Sequence, residues 1–224
     1  EFTLYADVEC TKRLATATSD ENGDVQFEDK WPAGTYYLRE TTAPVGYTAA
    51  ELTWTVKIAA GKATISTPGG TTVTEVKNTS RLRLKLKVLG PLGEELPGAV
   101  LRVTRDNGSP MLYKTNEAGA ALLEQMPAGD YIIQLAGTPT GYVPEDSAPN
   151  LKAEYGTLTY LDTANTAWQL EQCEGEEYTY LLTLELKELH ILPSTGGAGT
   201  VPFTLAGAAL MAVAVLLPGR KKVK

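Results

Sequence analysis

Apolar and polar residues alternate at period two through Leu82-Arg83-Leu84-Lys85-Leu86-Lys87-Val88 and again through Leu52-Thr53-Trp54-Thr55-Val56-Lys57-Ile58. Successive side chains of a strand point to opposite faces, so this period buries one face of a sheet and wets the other. Wrapped into a helix, the same residues would scatter around the axis and bury nothing well. Turn signals separate such runs at Asn22-Gly23, Pro68-Gly69-Gly70, Asn107-Gly108 and Ala118-Gly119, where glycine supplies backbone conformations closed to other residues. No long helical pattern precedes Val201. Short strands with closely spaced turns predict an all-β protein built from β-sandwiches.

An internal repeat divides that β region. The first copy runs Ser19-Asp20-Glu21-Asn22-Gly23, then Pro32-Ala33-Gly34-Thr35-Tyr36-Tyr37-Leu38, then Ala43-Pro44-Val45-Gly46-Tyr47. The second runs Thr115-Asn116-Glu117-Ala118-Gly119, Pro127-Ala128-Gly129-Asp130-Tyr131-Ile132-Ile133, then Thr138-Pro139-Thr140-Gly141-Tyr142. Their offset of about 95 residues is the size of one small sandwich. With Asn78-Thr79-Ser80 as the boundary, the expected domains are residues 1–80, 81–188 and a C-terminal segment, 189–224. The opening Glu1-Phe2-Thr3-Leu4-Tyr5 reads as the middle of a strand and not as a secretory signal. The first sandwich is therefore expected to lack part of its first strand, with a signal further upstream.

The C-terminal segment has three parts in order: Leu192-Pro193-Ser194-Thr195-Gly196, an apolar run from Val201 to Leu217, and the basic tail Arg220, Lys221, Lys222 and Lys224. As a helix, the 17 residues from 201 to 217 would rise roughly 25 Å, at the short end of what spans a hydrocarbon core of about 30 Å. The basic residues that follow put the C-terminus in the cytoplasm and everything before Val201 outside. Formal net charge is −7, but setting aside the four tail cations leaves 16 basic against 27 acidic residues, or −11. So acidic an ectodomain argues against nucleic acid or an anionic lipid surface as a partner.

Other chemistry finds few residues to carry it. His190 is the only histidine, so a metal site or catalytic triad lacks ligands, and no cofactor is expected. No glycine-rich phosphate loop follows a strand. Cys10 and Cys173, the only cysteines, fall in different halves and give no disulfide framework. Asn78-Thr79-Ser80 and Asn107-Gly108-Ser109 match a glycosylation pattern that is common by chance. Tyr36, Tyr37, Trp54 and Trp168 are aromatic enough for a ligand face, but core packing is the expected role.

The C-terminal arrangement resembles the cell-wall sorting signal of Gram-positive surface proteins. That resemblance implies a sortase substrate, cut between Thr195 and Gly196, with the Thr195 carbonyl transferred to an amine of a peptidoglycan precursor. Local chemistry agrees. Pro193 lacks an N–H and pairs poorly into a sheet, and Gly196, Gly197 and Gly199 carry no Cβ to obstruct entry into a cleft. A thiolate in the partner enzyme would form an acyl intermediate on Thr195. The apolar span is then a temporary membrane hold, and the mature protein sits in the cell wall.

Both repeats resemble the prealbumin-like SpaA, or collagen-adhesin B-type, domains of Gram-positive pilins and stalks. The resemblance rests on the turn glycine, the Pro-x-Gly-x-Tyr strand entry and the Pro-x-Gly-Tyr exit. In that family a strand lysine often bonds to an asparagine near the domain's end, aided by a buried glutamate. The resemblance implies Glu40 as the acid and Asn78 as the acceptor, with the lysine preceding Phe2. Glu40 shares strand parity with Tyr36 and Leu38, and Asn78 with Val76, so both can point inward. The second repeat departs at each part. Leu135 stands where Glu40 does, no Asn lies in Tyr178–Lys187, and Lys85 and Lys87 fall on the outward face. No cross-link is expected there.

The function expected from the whole is non-enzymatic. Tandem prealbumin-like sandwiches, followed by one transmembrane helix, form a wall-anchored stalk or adhesin base holding a distal region toward a host or neighbouring cell. A pilin subunit polymerised by sortase would need a lysine in a motif such as Tyr-Pro-Lys, which is absent from these residues. A third alternative is the anchoring region of a surface enzyme whose catalytic domain lies upstream.

Overall fold

The computed structural model describes residues 1–28, 30–161 and 167–190. The sorting motif Leu192–Gly196, the expected membrane span 201–217 and the tail Arg220–Lys224 lie outside the described residues. Among those that are described, no helix is long and apolar enough to cross a membrane, and every regular element is a strand.

Seven strands come from the first repeat: β1 (Phe2–Tyr5), β2 (Arg13–Ala17), β3 (Gly34–Glu40), β4 (Tyr47–Thr48), β5 (Thr53–Ala59), β6 (Lys62–Ser66) and β7 (Thr79–Ser80). Five of them form one antiparallel sheet in the order β2-β1-β3-β5-β6, and β4 pairs separately with β7. The second repeat supplies β8 (Arg83–Leu89), β9 (Val100–Arg105), β10 (Met111–Lys114), β11 (Ala120–Leu123), β12 (Gly129–Gly137), β13 (Asn150–Glu154), β14 (Thr157–Tyr160), β15 (Trp168–Gln172) and β16 (Thr179–Glu185). They form two sheets, β10-β9-β12-β13-β14 and β11-β8-β16-β15, the second containing a parallel pair, β8 with β16.

The period-two alternation does what strand geometry requires of it. Leu82, Leu84, Leu86 and Val88 are each 1% exposed or less, and they meet Leu101, Ile133, Leu151, Leu182 and Leu184 in one core. The intervening Lys85 and Lys87 reach Glu176 and Glu95 at the surface, at 2.6 and 3.1 Å. Such exposed pairs contribute little to stability. Trp54 and Trp168 are both buried, with Tyr36 packed against the core of Leu4, Leu38, Trp54 and Val56 in the first repeat.

The repeated motifs turn out to be the same physical devices. In the strand-entry motif, Tyr36 donates its hydroxyl to the Pro32 carbonyl at 3.0 Å, and Tyr131 donates to Pro127 at 2.8 Å. In the turn before it, a side-chain oxygen accepts the N–H four residues on: Asp20 from Asp24 at 2.9 Å and Asn116 from Ala120 at 3.1 Å. The Asp24 N–H, followed by that of Asn22, holds the Asp20 carboxyl below its ordinary range. At the exit, the Tyr47 N–H closes a turn on the Pro44 carbonyl and Tyr142 closes one on Pro139. Tyr131→Phe removes the hydroxyl that the buried tyrosine donates to the Pro127 carbonyl and should cost about 1 kcal/mol, read as a lower denaturant midpoint at unchanged slope.

The two halves differ in completeness. Aligned on the turn glycines Gly23 and Gly119, β1 takes the place of β9, so β8 has no counterpart among residues 1–80. Phe27 and Val76 stand where Leu123 and Leu184 do, the two residues that β8 meets through Leu84 and Val88. In place of a second sheet, the first half has a groove of about 560 Å³ lined by Leu4, Phe27, Trp31, Leu38, Val56 and Ile65.

Candidate functional site

Strand β3 carries Tyr36, Leu38 and Glu40 on one face, and the sheet ends just beyond Glu40, opposite Phe2. That register brings a carboxylate to the end of an apolar face, where Glu40 is 4% exposed. Burial of an unsatisfied charge or dipole is costly, and both oxygens are used. Oε2 accepts the Ala50 N–H at 2.7 Å, and Oε1 accepts the Asn78 Nδ2–H at 2.7 Å. Asn78 lies 38 residues away in sequence. It is delivered by the segment that follows Val76 and enters β7, and β7 is fixed by pairing with β4 at Tyr47↔Ser80 and Thr48↔Thr79.

The second amide atom is the anomaly. Asn78 Oδ1 is buried with no hydrogen-bond partner among the described residues. A neutral amide held this way presents a carbonyl whose oxygen can accept a new donor, with Glu40 already on its nitrogen. That arrangement suits attack on the amide carbon, with a carboxyl in reach of the departing nitrogen. No amine stands among the hydrogen-bond partners of Glu40 or Asn78 in the described residues.

The matching place in the second half has neither group. The exit-turn tyrosines give the register: Tyr47 faces Ser80, and Tyr142 faces Glu188. Counting back two residues places Leu186 where Asn78 stands, while the strand-entry motif places Leu135 where Glu40 stands. Leu186 is 1% exposed and Leu135 packs against the same core. An acid and an amide in one repeat are two leucines in the other. Asn78 is legible as the partner of Glu40 only through resemblance; the Ala50 N–H on its second oxygen carried no sequence signal, because a backbone donor can sit on any residue.

Among the described residues, sixteen strands, paired antiparallel except for β8 with β16, surround two leucine- and tryptophan-containing cores, and a carboxyl–amide pair sits at the edge of one; together they define a prealbumin-like surface-protein fold. The chain belongs to the SpaA family of prealbumin-like fold domains, whose model matches residues 1–77 and 86–166. Residues 189–224 match the LPXTG cell wall anchor motif, which includes the motif Leu192–Gly196 and the tail. The protein is thus a sortase substrate, processed for attachment to peptidoglycan and located at the cell-wall surface.

Solved structures similar to the chain include a C-terminal fragment of the pilus adhesin SpaC from Lactobacillus rhamnosus GG. It is 17% identical, over 86% of this chain and 90% of that one, with a TM-score of 0.43. The group B streptococcus pilus 2b backbone protein is 15% identical over 86% of this chain and 79% of that chain, at a TM-score of 0.40. BcpA, the major pilin subunit of Bacillus cereus, is 17% identical over 48% and 28%, at 0.32. No curated protein matches the chain.

Proposed function

We propose that the protein is a wall-proximal stalk, with domains at 1–80 and 81–188 that hold a more distal region away from the cell. The observation that carries the reading is the abutment of β structure and anchor: the matched anchor begins at Leu189, four residues after β16 ends at Glu185. No long linker intervenes, so force on the β region passes directly to the wall attachment. Residues 201–217 hold the chain in the membrane until sortase acts, and the partner at the far end is a host or neighbouring-cell surface. Immunogold labelling of intact cells should show the 1–188 region at the outer wall as single chains of one mass after wall digestion. A ladder of high-mass species would replace the stalk by a polymerised pilin.

Glu40 and Asn78 are the reactive pair of the first domain. A lysine on a strand ahead of Glu1 lies along the open apolar groove, in the place β8 takes in the second half. Its neutral Nζ attacks Asn78 Cγ, the Nζ–Cγ bond forms, and the Cγ–Nδ2 bond breaks. Glu40 passes the amine's proton to Nδ2, which leaves as ammonia. This is supported by the part-buried Glu40–Asn78 contact and by Asn78 Oδ1, which has no hydrogen-bond partner among the described residues. In a polypeptide that includes the preceding strand, intact mass should be lower by one ammonia, and Glu40→Ala or Asn78→Ala should restore the full mass. An unchanged mass in the parent protein would sink this assignment. Loss of ammonia that maps to residues 81–188 would show that the second domain, with Leu135 and Leu186, does not need the pair.

A further inference from the structure

Domains joined in one chain move relative to each other by default, through an exposed linker. The junction here offers none. Ser80 ends β7, and the next backbone groups are all taken: the Arg81 N–H donates to the Gly46 carbonyl at 2.8 Å, and the Arg83 N–H donates to the Tyr178 carbonyl at 2.8 Å. Between them, the Leu82 N–H donates to the Ser80 hydroxyl at 3.2 Å and the Leu82 side chain is 1% exposed, inside the second core. Residues 1–188 accordingly form a single compact unit.

Two glycines from opposite halves meet across this junction. Gly46 comes from the exit turn of the first repeat, and Gly156 from the hairpin joining β13 to β14. A Cβ on Gly46 would fall 2.3 Å from the Gly156 Cα, and one on Gly156 would fall 2.7 Å from the Gly46 Cα and 2.6 Å from the Tyr178 ring. Both are in the left-handed region, at φ +82° and +76°. Each turn alone therefore favours glycine, but the backbone-to-backbone approach comes from the pairing of the halves and would vanish if they separated. Arg81 completes the contact. Its guanidinium lies 4.5 Å above the Tyr178 ring and 3.2 Å from Glu177, a cation–π and charge-assisted pairing from linker to second half.

We infer that Gly46, Gly156 and the Arg81–Tyr178–Glu177 cluster form a lock that makes the two halves one rigid body, so that the stalk transmits force without bending at its middle. The inference is independent of wall attachment and of any cross-link at Asn78. It stands or falls on the geometry between the halves alone.

The chain's own cysteines allow a direct test, because Cys10 lies in the first half and Cys173 in the second, both partly accessible. Spin labels on these two residues of the full chain in mild detergent report the distance between halves by electron double resonance. The parent protein should give one narrow distance. Gly46→Val and Gly156→Val should broaden it about twofold or more, as the halves part and the junction becomes an ordinary linker. Arg81→Ala removes no packed backbone and should broaden it less. Tryptophan fluorescence, from Trp31 and Trp54 in the first half and Trp168 in the second, shows whether the cores stay folded. A broad distribution in the parent protein overturns the inference, and so does an unchanged width in Arg81→Ala together with either folded valine variant. Should both valine variants fail to fold, unchanged width in Arg81→Ala alone overturns it.

Discussion

Replacing Pro193 and Thr195 by alanine is expected to abolish covalent attachment to the wall. Transfer should fall by about 100-fold or more, because an enzyme that reads a short peptide discriminates through contacts made at the reacting carbonyl. Thr195 supplies that carbonyl, and Pro193 keeps the peptide extended and unpaired as it enters a cleft. The protein should shift from the fraction released only by wall digestion to the fraction extracted by detergent, with its C-terminal segment uncut. Residues 1–188 should fold as before, since the matched anchor begins after them. Continued release only by wall digestion would mean that attachment does not run through Thr195. The complementary change, deletion of Arg220–Lys224, should leave the scissile bond intact but weaken retention, because the basic residues are what stop the apolar segment at the membrane.

Leu86→Ala should be the most damaging single change in the β region, costing about 2–5 kcal/mol. Leu86 is fully buried at the middle of β8, which pairs with β11 on one side and β16 on the other. The void would sit where two strand ladders meet and neither can close over it. Against a total of about 5–15 kcal/mol for a typical domain, that loss should unfold much of the second half at physiological temperature. Leu4→Ala should cost less. Leu4 packs in a cluster of four buried residues among those described, open on one side to the groove, where neighbouring side chains can relax into the gap. Hydrogen exchange read by mass spectrometry separates the two. Protection should collapse in peptides from β8, β11 and β16 for Leu86→Ala, and only in β1, β3 and β5 for Leu4→Ala. Equal losses would mean that the first half is as tightly closed as the second.

The same asymmetry bears on the cross-link. By analogy with a disulfide closing a loop of this size, a bond from a preceding strand to Asn78 would constrain the unfolded chain by roughly 4 kcal/mol. It would fall on the half whose own core is thinner. The second half, with Leu135 and Leu186 packed into a complete core, gains the corresponding stability from apolar burial and has no use for a buried acid and amide.

Much of this was legible in the residues. Alternation in Leu82–Val88 assigned both the strand and its buried face, because the two-residue period of a strand admits only one inward set. The Pro-Ala-Gly-x-Tyr repeat marked matching places in the two halves, and the tyrosine hydroxyl on the proline carbonyl explains why the motif recurs as a unit. Glu40 and Asn78 were each legible only through family likeness. Nothing in the stretch between them says that they touch, since a contact at a separation of 38 residues depends on where β3 and β7 end in space.

By itself the sequence determined the β class, the repeat, the inward faces and the envelope address, because each is written in local spacing or in a contiguous motif. Tertiary structure alone decided that an apolar groove lies open beside the first sheet, that Asn78 Oδ1 is left without a donor among the described residues, and that Gly46 meets Gly156. Those three are relations between distant segments. Their energies come from packing and desolvation at a shared place, which no local pattern encodes.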